Sequence, residues 1–226
     1  MLRTQFEEDL QNLHTQFSTM AQEVSDAVYK SVKAFIKHDK EIAYNVIEND
    51  VKINELEVQL EKKSLEMIAL QQPVTTDLRI IITVMKASSD LERMGDHAVS
   101  IAKSTIRVKG NERILEVEEK ISDMADAVKI MVDSVKDAYI NGDLDQAKAI
   151  AQSDAKVNEY FNEIYDMCIK EMKENPETVV GGTDYLQVAG FLERIGDYVT
   201  NICEWIVYLK TGKILELNSN RDDLIS

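Results

Sequence analysis

The sequence predicts an all-α protein made of two similar antiparallel three-helix bundles that arose by internal duplication. Its 226 residues include only two prolines and eight glycines, and the stretches between them show the apolar spacing of helices. Hydrophobic residues make up 44% of the chain, enough for a substantial core. The segment Leu91-Glu92-Arg93-Met94-Gly95-Asp96 also returns as Leu192-Glu193-Arg194-Ile195-Gly196-Asp197. A segment that returns after a long interval indicates a duplicated architecture.

Residues 1–109 form the first predicted bundle. Breaks and caps predict three helices in it, over residues 4–36, 39–71 and 75–108. Asp39 is a residue type that caps the first turn of a helix, and Pro73 interrupts the chain between the second helix and the third. Gly110 can then end the third helix, because glycine readily adopts the left-handed conformation that stops a helix.

Residues 110–212 form the second predicted bundle, and residues 213–226 form a polar tail. The three helices predicted here cover about residues 111–141, 143–175 and 183–210. Asp143, followed three positions later by Gln146, is a capping-box pattern, and Gly181 and Gly182 precede the last helix. Short turns make consecutive helices antiparallel, and helices of roughly 30 residues are about 45 Å long.

The two predicted bundles correspond position by position. Asp50 matches Asp154 at an offset of 104 (154 − 50), whereas Glu92 matches Glu193 at an offset of 101 (193 − 92). The second repeat therefore lacks three residues (104 − 101) between its middle and last helices. The best matches are polar residues, which a shared pattern of core residues alone does not require.

The chain is strongly acidic, with a formal net charge of −15. This charge argues against nucleic acid and against an anionic membrane surface as partners, because both attract an excess of Lys and Arg. It suits the binding of cations or of basic protein surfaces. The two cysteines form no spaced framework, and the apolar runs are too short to span a bilayer. We therefore expect a reduced, cytoplasmic protein without membrane insertion.

The duplicated motif places two carboxylates and a glycine in the last helix of each repeat. Glu92 and Asp96 lie four residues apart, which puts them on one helix face where they repel each other. Gly95, between them, lowers helix stability by about 1 kcal/mol relative to alanine. Glu193 and Asp197 repeat the pattern. A pattern that disfavours the helix and is nevertheless present twice indicates a binding site.

Further acids on the middle helices complete two clusters. Asp50 and Glu57 belong to the first cluster, and Asp154 belongs to the second. Carboxylates from facing helices can hold a cation if they converge, and ligation by oxygen alone suits Mg, Ca, Mn or Fe. Two other interpretations stay open: charge pairs at helical spacing are often solvated faces, and Gly95 and Gly196 can serve close helix packing.

The sequence offers little support for catalysis. His14, His38 and His97 do not form a ligand set, and the Glu-x-x-His spacing of di-iron bundles is absent. The sequence also contains no Ser-His-Asp grouping, glycine-rich phosphate loop or zinc motif. We therefore expect a protein that is not an enzyme. A metal-dependent hydrolase or oxidase on the bundle is the alternative, and a helical scaffold with solubilising acids is a third hypothesis.

Three segments resemble the PhoU family of phosphate-transport regulators, and the resemblance extends over essentially the whole chain. These segments are Gln72 to Arg79, Asp90 to Ala98 and Phe191 to Ile202. The resemblance implies two three-helix bundles and a negative regulator that restrains phosphate uptake and phosphate-starvation signalling when phosphate is plentiful. It also implies two partners, the ATPase of a phosphate ABC transporter and a phosphate-sensing histidine kinase. The resemblance leaves open whether the protein forms a homodimer.

In some members of that family, Glu/Asp-x-x-x-Asp motifs carry multinuclear metal clusters of iron or zinc. Carried over by position, the resemblance implies metal ligands at Glu92, Asp96, Glu193, Asp197, Asp50, Asp154 and Asn201. Ser100 takes the position of Asn201 in the first repeat. Lys103 takes that of Glu204 and lies on the same helix face as Asp96. We therefore expect the two sites to differ, with the first weaker or differently occupied.

Overall fold

The computed structural model describes residues 2–108 and 112–217, which are mostly helical and contain no β-strand. Its helices are α1 (Leu2–Lys37), α2 (Lys40–Gln71), α3 (Thr75–Val108), α4 (Leu115–Asn141), α5 (Leu144–Glu174) and α6 (Val179–Thr211). A 3₁₀ turn, Pro176–Thr178, precedes α6. The predicted all-α fold with three helices in each repeat is therefore confirmed. Over the described part of the chain, no helix has the length and apolar character needed to cross a membrane.

Two predicted caps set the starts of the middle helices. Asp39 accepts hydrogen bonds of 2.9 and 3.1 Å from backbone N–H groups in the first turn of α2. Asp143 accepts two of 3.0 Å in the same way from the first turn of α5. These N–H groups have no acceptor within the helix, so a carboxylate at the preceding position defines where each helix begins.

One predicted helix start is wrong. Gly181 and Gly182 lie inside α6, which begins at Val179 directly after the 3₁₀ turn. A Cβ atom added at Gly182 would lie 2.9 Å from the side chain of Met172. The absence of a side chain at this buried position therefore allows α5 and α6 to pack closely.

The connection between the repeats is longer than predicted. α4 begins at Leu115, after Ile114 in a non-helical conformation (φ −107°, ψ 87°). The predicted helix stop at Gly110 and the predicted start at Asn111 lie outside the described residues. At the other end α6 stops before Gly212, and residues 213–217 are not helical. The rest of the predicted tail, 218–226, also lies outside the described residues.

The six helices pack as two bundles that share an interface. α3 and α6 lie along each other, and α1 packs on α4. α2 contacts α1 and α3 alone among the described helices, and α5 contacts α4, α6 and the 3₁₀ turn. α2 and α5 are therefore the outer helices. Each forms half of the surface on which one acidic cluster lies.

The apolar core runs without interruption through both repeats. Aromatic side chains join the two repeats at the contact between α1 and the second bundle. Phe17 packs on Tyr139 with ring centroids 4.3 Å apart, and Phe35 meets Tyr185 edge to face at 5.6 Å. The two bundles are therefore held together by core packing as well as by the chain connection.

A buried carboxylate fastens the connection to both bundles. Glu118, only 3% exposed, accepts hydrogen bonds from Tyr185 Oη at 2.6 Å and from Arg113 Nε at 3.0 Å, and its Oε1 atom lies 3.0 Å from His38 Nε2. Arg113 also donates to the backbone carbonyl of Ile36. Burial acts to raise the pKa of Glu118, but hydrogen bonds from Arg113, Tyr185 and His38 outweigh it and hold the pKa below its usual value.

Candidate carboxylate metal sites

Four carboxylates from α2 and α3 gather in the first repeat, and we call this group the first site. Its members are Asp50, Glu57, Glu92 and Asp96. Burial raises the pKa of Glu92, and the negative charges of the other three members raise it further. Such effects weaken with distance, so the four acids lie together on the surface between the two helices.

Asp50 has one hydrogen-bonded and one unpartnered carboxylate oxygen. Its Oδ2 atom accepts a 3.3 Å hydrogen bond from Asn54, whereas its Oδ1 atom is buried without a hydrogen-bond partner among the described residues. Burial and the charge of Asp96 raise the pKa of Asp50. The hydrogen bond from Asn54 and the positive charge of Lys103 act against this rise. An unpartnered carboxylate oxygen of this kind is available to a cation.

The second repeat contains the matching group, the second site, made of Asp154, Glu193 and Asp197. Asp154 is only 1% exposed, and its Oδ1 atom is unpartnered within the described part of the chain, while Oδ2 accepts a 3.0 Å hydrogen bond from Asn158. Burial and the charge of Asp197 raise the pKa of Asp154 to about 6. Burial, Asp197 and Asp154 raise the pKa of Glu193. The second site therefore has the same organisation in a drier setting.

Each site is built over the glycine of its motif. A Cβ atom added at Gly196 would lie 2.5 Å from Asp154 Oδ1, a distance that real Cβ atoms do not reach. The same atom at Gly95 would lie 3.3 Å from Ile53 and 3.5 Å from Asp50 Oδ1. The carboxylate from the middle helix thus rests on the glycine of the last helix. Close helix packing and the gathering of acids are therefore one and the same feature.

The acids of each site do not converge on a single point. Across residues 2–108 and 112–217, no group of three or more His, Cys, Asp or Glu side chains has an arrangement that could hold a metal ion. The donor chemistry nevertheless fits a hard cation, since the donors are oxygens and each site contains a buried carboxylate oxygen without a partner. The assignment of these residues as metal ligands stays a prediction.

Asn201, the remaining predicted ligand, lies at the α3–α6 interface. Burial raises the pKa of Asp90 to about 6. Hydrogen bonds from Asn201 and Trp205 limit this rise, and so do the positive charges of Arg93 and Lys86. Asn201 is thus engaged with Asp90, an acid that the sequence reasoning did not single out. Asp90 precedes the first motif by two positions, but the duplication could not reveal it, because Phe191 takes its place in the second repeat.

His97 lies beside the first motif but is held by aromatic rings. Its imidazole stacks on Phe191 and on Tyr198, with centroids 5.5 and 5.7 Å away. Burial and the positive charge of Arg194 lower its pKa, and Asp96 acts in the opposite direction. Its contacts place it at the interface between the repeats.

Comparison with known proteins gives consistent results along the whole chain. The family model described as the PhoU domain matches it twice, over residues 17–105 and 121–206. A phosphate-specific transport system accessory protein PhoU homolog from Clostridium acetobutylicum is 37% identical to this chain. The alignment covers 96% of this chain and the whole of that protein. The homolog from Streptococcus pneumoniae serotype 4 is 36% identical, with the same coverage of both chains.

Solved structures agree with the sequence relatives. The phosphate transport system regulatory protein PhoU from Streptococcus pneumoniae superposes with a TM-score of 0.88 at 35% identity, over 93% of this chain and 99% of that one. PhoU from Pseudomonas aeruginosa gives a TM-score of 0.88 at 30% identity, over 92% of this chain and 100% of that one. Family model, relatives and structures all place both repeats in one family, so the chain belongs to the PhoU family.

Proposed function

We propose that this protein is a negative regulator of phosphate uptake and phosphate-starvation signalling. Relatives that it matches over nearly their full length are named as accessory proteins of the phosphate-specific transport system. They are accessory proteins and not enzymes, and the same holds for this chain. The proposed partners are the ATPase of a phosphate ABC transporter and a phosphate-sensing histidine kinase, and the place of action is the cytoplasm.

We further propose that the two acidic sites carry metal ions. The observation that carries this step is the buried, unpartnered Oδ1 atom of Asp154 beside the negative charge of Asp197. A second such oxygen belongs to Asp50 in the first site. Ionised carboxylates gathered in a partly buried place repel one another and are poorly solvated, so a cation that binds them removes an unfavourable interaction.

The ligands would come from both helices of each site. Asp50, Glu92 and Asp96 would hold metal in the first site, and Asp154, Glu193 and Asp197 would hold it in the second. Among the acids on the last helices, Asp96 is exposed and Glu92, Glu193 and Asp197 are partly buried. Rotation of these side chains would bring their oxygens toward the buried oxygen of the middle helix. Oxygen ligation favours hard cations, and the family resemblance points to clusters of iron or zinc.

A bound metal would supply positive charge and a cross-link between helices. It would neutralise carboxylates and connect the outer helix of each repeat to the last helix, α2 to α3 and α5 to α6. The protein surface would then have less negative charge and a more rigid outer helix. Both changes would alter how the acidic surface meets a basic or neutral partner.

The function is tested by deleting the gene and measuring phosphatase and phosphate uptake under phosphate-rich conditions. We expect both to rise on deletion and to return to normal with the wild-type gene. Asp154→Asn should restore repression only partly. Asp166→Asn, at an exposed position on the same helix, is the matched control and should restore it fully. Unchanged phosphatase and uptake after deletion would contradict the proposed regulatory function.

A further inference from the structure

A cleft with a volume of about 360 Å³ opens between α1 and α4, and we call it the α1–α4 cleft. It is lined by side chains of these two helices alone among the described residues. The acids of both candidate metal sites belong to the other four helices. The cleft is therefore a separate feature, and its volume falls in the range of small-molecule sites.

The floor of the α1–α4 cleft is apolar. Val28 and Val32 are its most buried members, at 2% and 5% exposed, and Ile36 and Ala125 are half-buried beside them. Tyr29 stands at one end of the lining and is 47% exposed. A floor of this kind accepts a flat apolar group, and a tyrosine ring at its edge offers a face on which such a group can stack.

The α1 wall of the cleft is basic. Lys33 and Lys37 line it one helical turn apart, and neither lysine forms an ion pair within the described part of the chain. Between residues 28 and 40 the sequence has four lysines and a single acid, Asp39. In a protein with a formal net charge of −15, this stretch is a local place for an anion.

The α4 wall contributes an acceptor and a hydroxyl group, from Asp126 and Ser122. The ammonium group of Lys129 lies 6.0 Å from the ring centroid of Tyr29. Since α4 runs antiparallel to α1, Asp126 lies toward the Tyr29 end of the cleft and Ser122 toward the Lys37 end. Each end of the cleft therefore has its own chemistry, with a ring and a carboxylate at one end and cations with a hydroxyl group at the other.

We propose that the α1–α4 cleft binds a guanine nucleotide. The base lies on the apolar floor and against Tyr29, and the phosphates reach Lys33, Lys37 and the hydroxyl group of Ser122. Guanine has two N–H donor groups on one edge, which match the two carboxylate oxygens of Asp126, whereas adenine has one such group on the corresponding edge. This inference does not depend on the proposed function.

Lys33 has a contact that the nucleotide would replace. Its ammonium group lies 5.8 Å from the ring centroid of Tyr29. A cation–π contact at an exposed site is weak, whereas a lysine–phosphate contact joins two full charges. Movement of Lys33 toward the phosphates would leave a face of the tyrosine ring to the base.

Other small anions match the lining less well. Inorganic phosphate has no apolar part for the floor, and a fatty acid would place hydrocarbon against the carboxylate of Asp126. The second repeat also lacks this chemistry. The positions that correspond to the tyrosine and the two lysines at the offset of 104 are Asp133, Asp137 and Asn141. The cleft is therefore a property of the first repeat and not a requirement of the fold.

Binding is tested by calorimetric titration of the full-length protein with GDP. A chelator in the buffer prevents a metal ion from bridging the phosphates to the acidic sites. We expect saturable binding at one site, weakened about tenfold or more by Lys33→Glu with Lys37→Glu, because attraction becomes repulsion. Lys30→Glu with Lys40→Glu, a matched charge change outside the cleft, should weaken binding by at most about threefold. A wild type that does not bind millimolar GDP, or equal losses in both double variants, would overturn the proposal.

The orientation of the base is tested by comparing GDP with ADP. We expect the wild type to bind GDP about fivefold or more tightly than ADP, because only guanine uses both oxygens of Asp126. Asp126→Ala should abolish this preference, whereas Asp123→Ala, at an exposed position of α4 outside the cleft, should keep it. This comparison does not rely on the lysine variants. Equal binding of GDP and ADP, a preference that survives Asp126→Ala, or displacement of GDP by an equal concentration of inorganic phosphate or decanoate would overturn the assignment.

Discussion

The two repeats build the same site in different surroundings. Both place an aspartate of the middle helix on the glycine of the last helix, and in both this aspartate retains one buried, unpartnered oxygen. The first site adds Glu57 and the nearby charge of Lys103. At the corresponding positions the second repeat has Phe161 and Glu204. Duplication has kept the aspartate and the glycine, while the charges around them have diverged.

The two sites also differ in how far the aspartate of the middle helix is exposed to solvent. Asp154 is almost fully buried, whereas Asp50 is only half-buried. Glu204 does not extend the second site, because it accepts a 2.8 Å hydrogen bond from the backbone of Leu217. In the first site, the positive charge of Lys103 opposes the binding of a cation, whereas the additional carboxylate of Glu57 favours it. We infer that the sites differ in dryness as much as in charge.

The largest difference between the repeats is expected at Glu118 and its equivalent. The offset of 104 (118 − 14) pairs Glu118 with His14, which shares one 2.8 Å hydrogen bond with Tyr139. Glu118→Ala should reduce the free energy of unfolding by about 3 kcal/mol, because partners of a buried carboxylate are left unpaired. His14→Ala should reduce it by roughly 1 kcal/mol. Urea unfolding at pH 7 measures both.

The pH dependence provides the control for the Glu118 variant. A carboxyl group whose pKa is lowered in the folded state stabilises the protein above its unfolded pKa, and this stabilisation is lost as the pH falls through the folded value. The difference between wild type and Glu118→Ala should therefore shrink in acid. A difference that does not change between pH 7 and pH 3 would contradict the ionised state of Glu118.

The next effect separates the buried Asp154 from the half-buried Asp50 in protein freed of metal. The pKa of Asp154 is about 6 in the folded protein, whereas its ordinary pKa is 3.8. Ionisation of Asp154 therefore makes the folded protein less stable as the pH rises from 3.8 through 6. Asp154→Asn should therefore stabilise the metal-free protein by about 3 kcal/mol at pH 8 and by almost nothing near pH 4. Asp50→Asn should have a smaller effect because Asp50 is better solvated. Equal effects in both repeats would remove the proposed difference in dryness.

The glycines should respond unequally to alanine. At Gly196 a new Cβ would collide with Asp154, and we expect a loss of about 1 to 2 kcal/mol in the free energy of unfolding. At Gly95 the closest atoms belong to Ile53 at 3.3 Å, and the gain of about 1 kcal/mol in helix propensity offsets the strain. Thermal and urea unfolding of the two variants compare them directly. A Gly95→Ala variant that is the less stable of the two would contradict the observed packing.

The smallest expected effect concerns the charge of Lys103. Lys103→Glu gives the first repeat the residue type of the second and removes a positive charge near Asp50. Metal binding to the first site should strengthen about fivefold, since exposed charge interactions contribute at most about 1 kcal/mol. Competition titration with a metal indicator measures the change. Lys86→Glu, a charge reversal elsewhere on α3, should alter the affinity less.

Several of these features could be predicted from the sequence, because they depend on neighbours along the chain. Asp39 and Asp143 cap helices whose first turns follow directly, and the duplicated motif identified the glycines together with their acids. Gly181 and Gly182 misled the prediction, because their role depends on Met172 in another helix.

Other features depend on contacts between distant residues, and the sequence could not reveal them. Glu118 meets His38 and Tyr185, which are 80 and 67 positions away. The unpartnered oxygen of Asp154 and the contact of Asn201 with Asp90 likewise appear only when the helices are packed. The sequence shows which residues are acidic. Only the structure shows which of their carboxylate oxygens are buried away from solvent.

The most direct test of two unequal metal sites is elemental analysis of untagged protein purified without chelator, next to Asp96→Asn and Asp197→Asn. We expect metal in the wild type and a partial loss in each variant, with the two variants losing different amounts. Metal that is absent from the wild type, even after incubation with iron, zinc or manganese, would contradict the account. A metal content unchanged in both variants would contradict it equally.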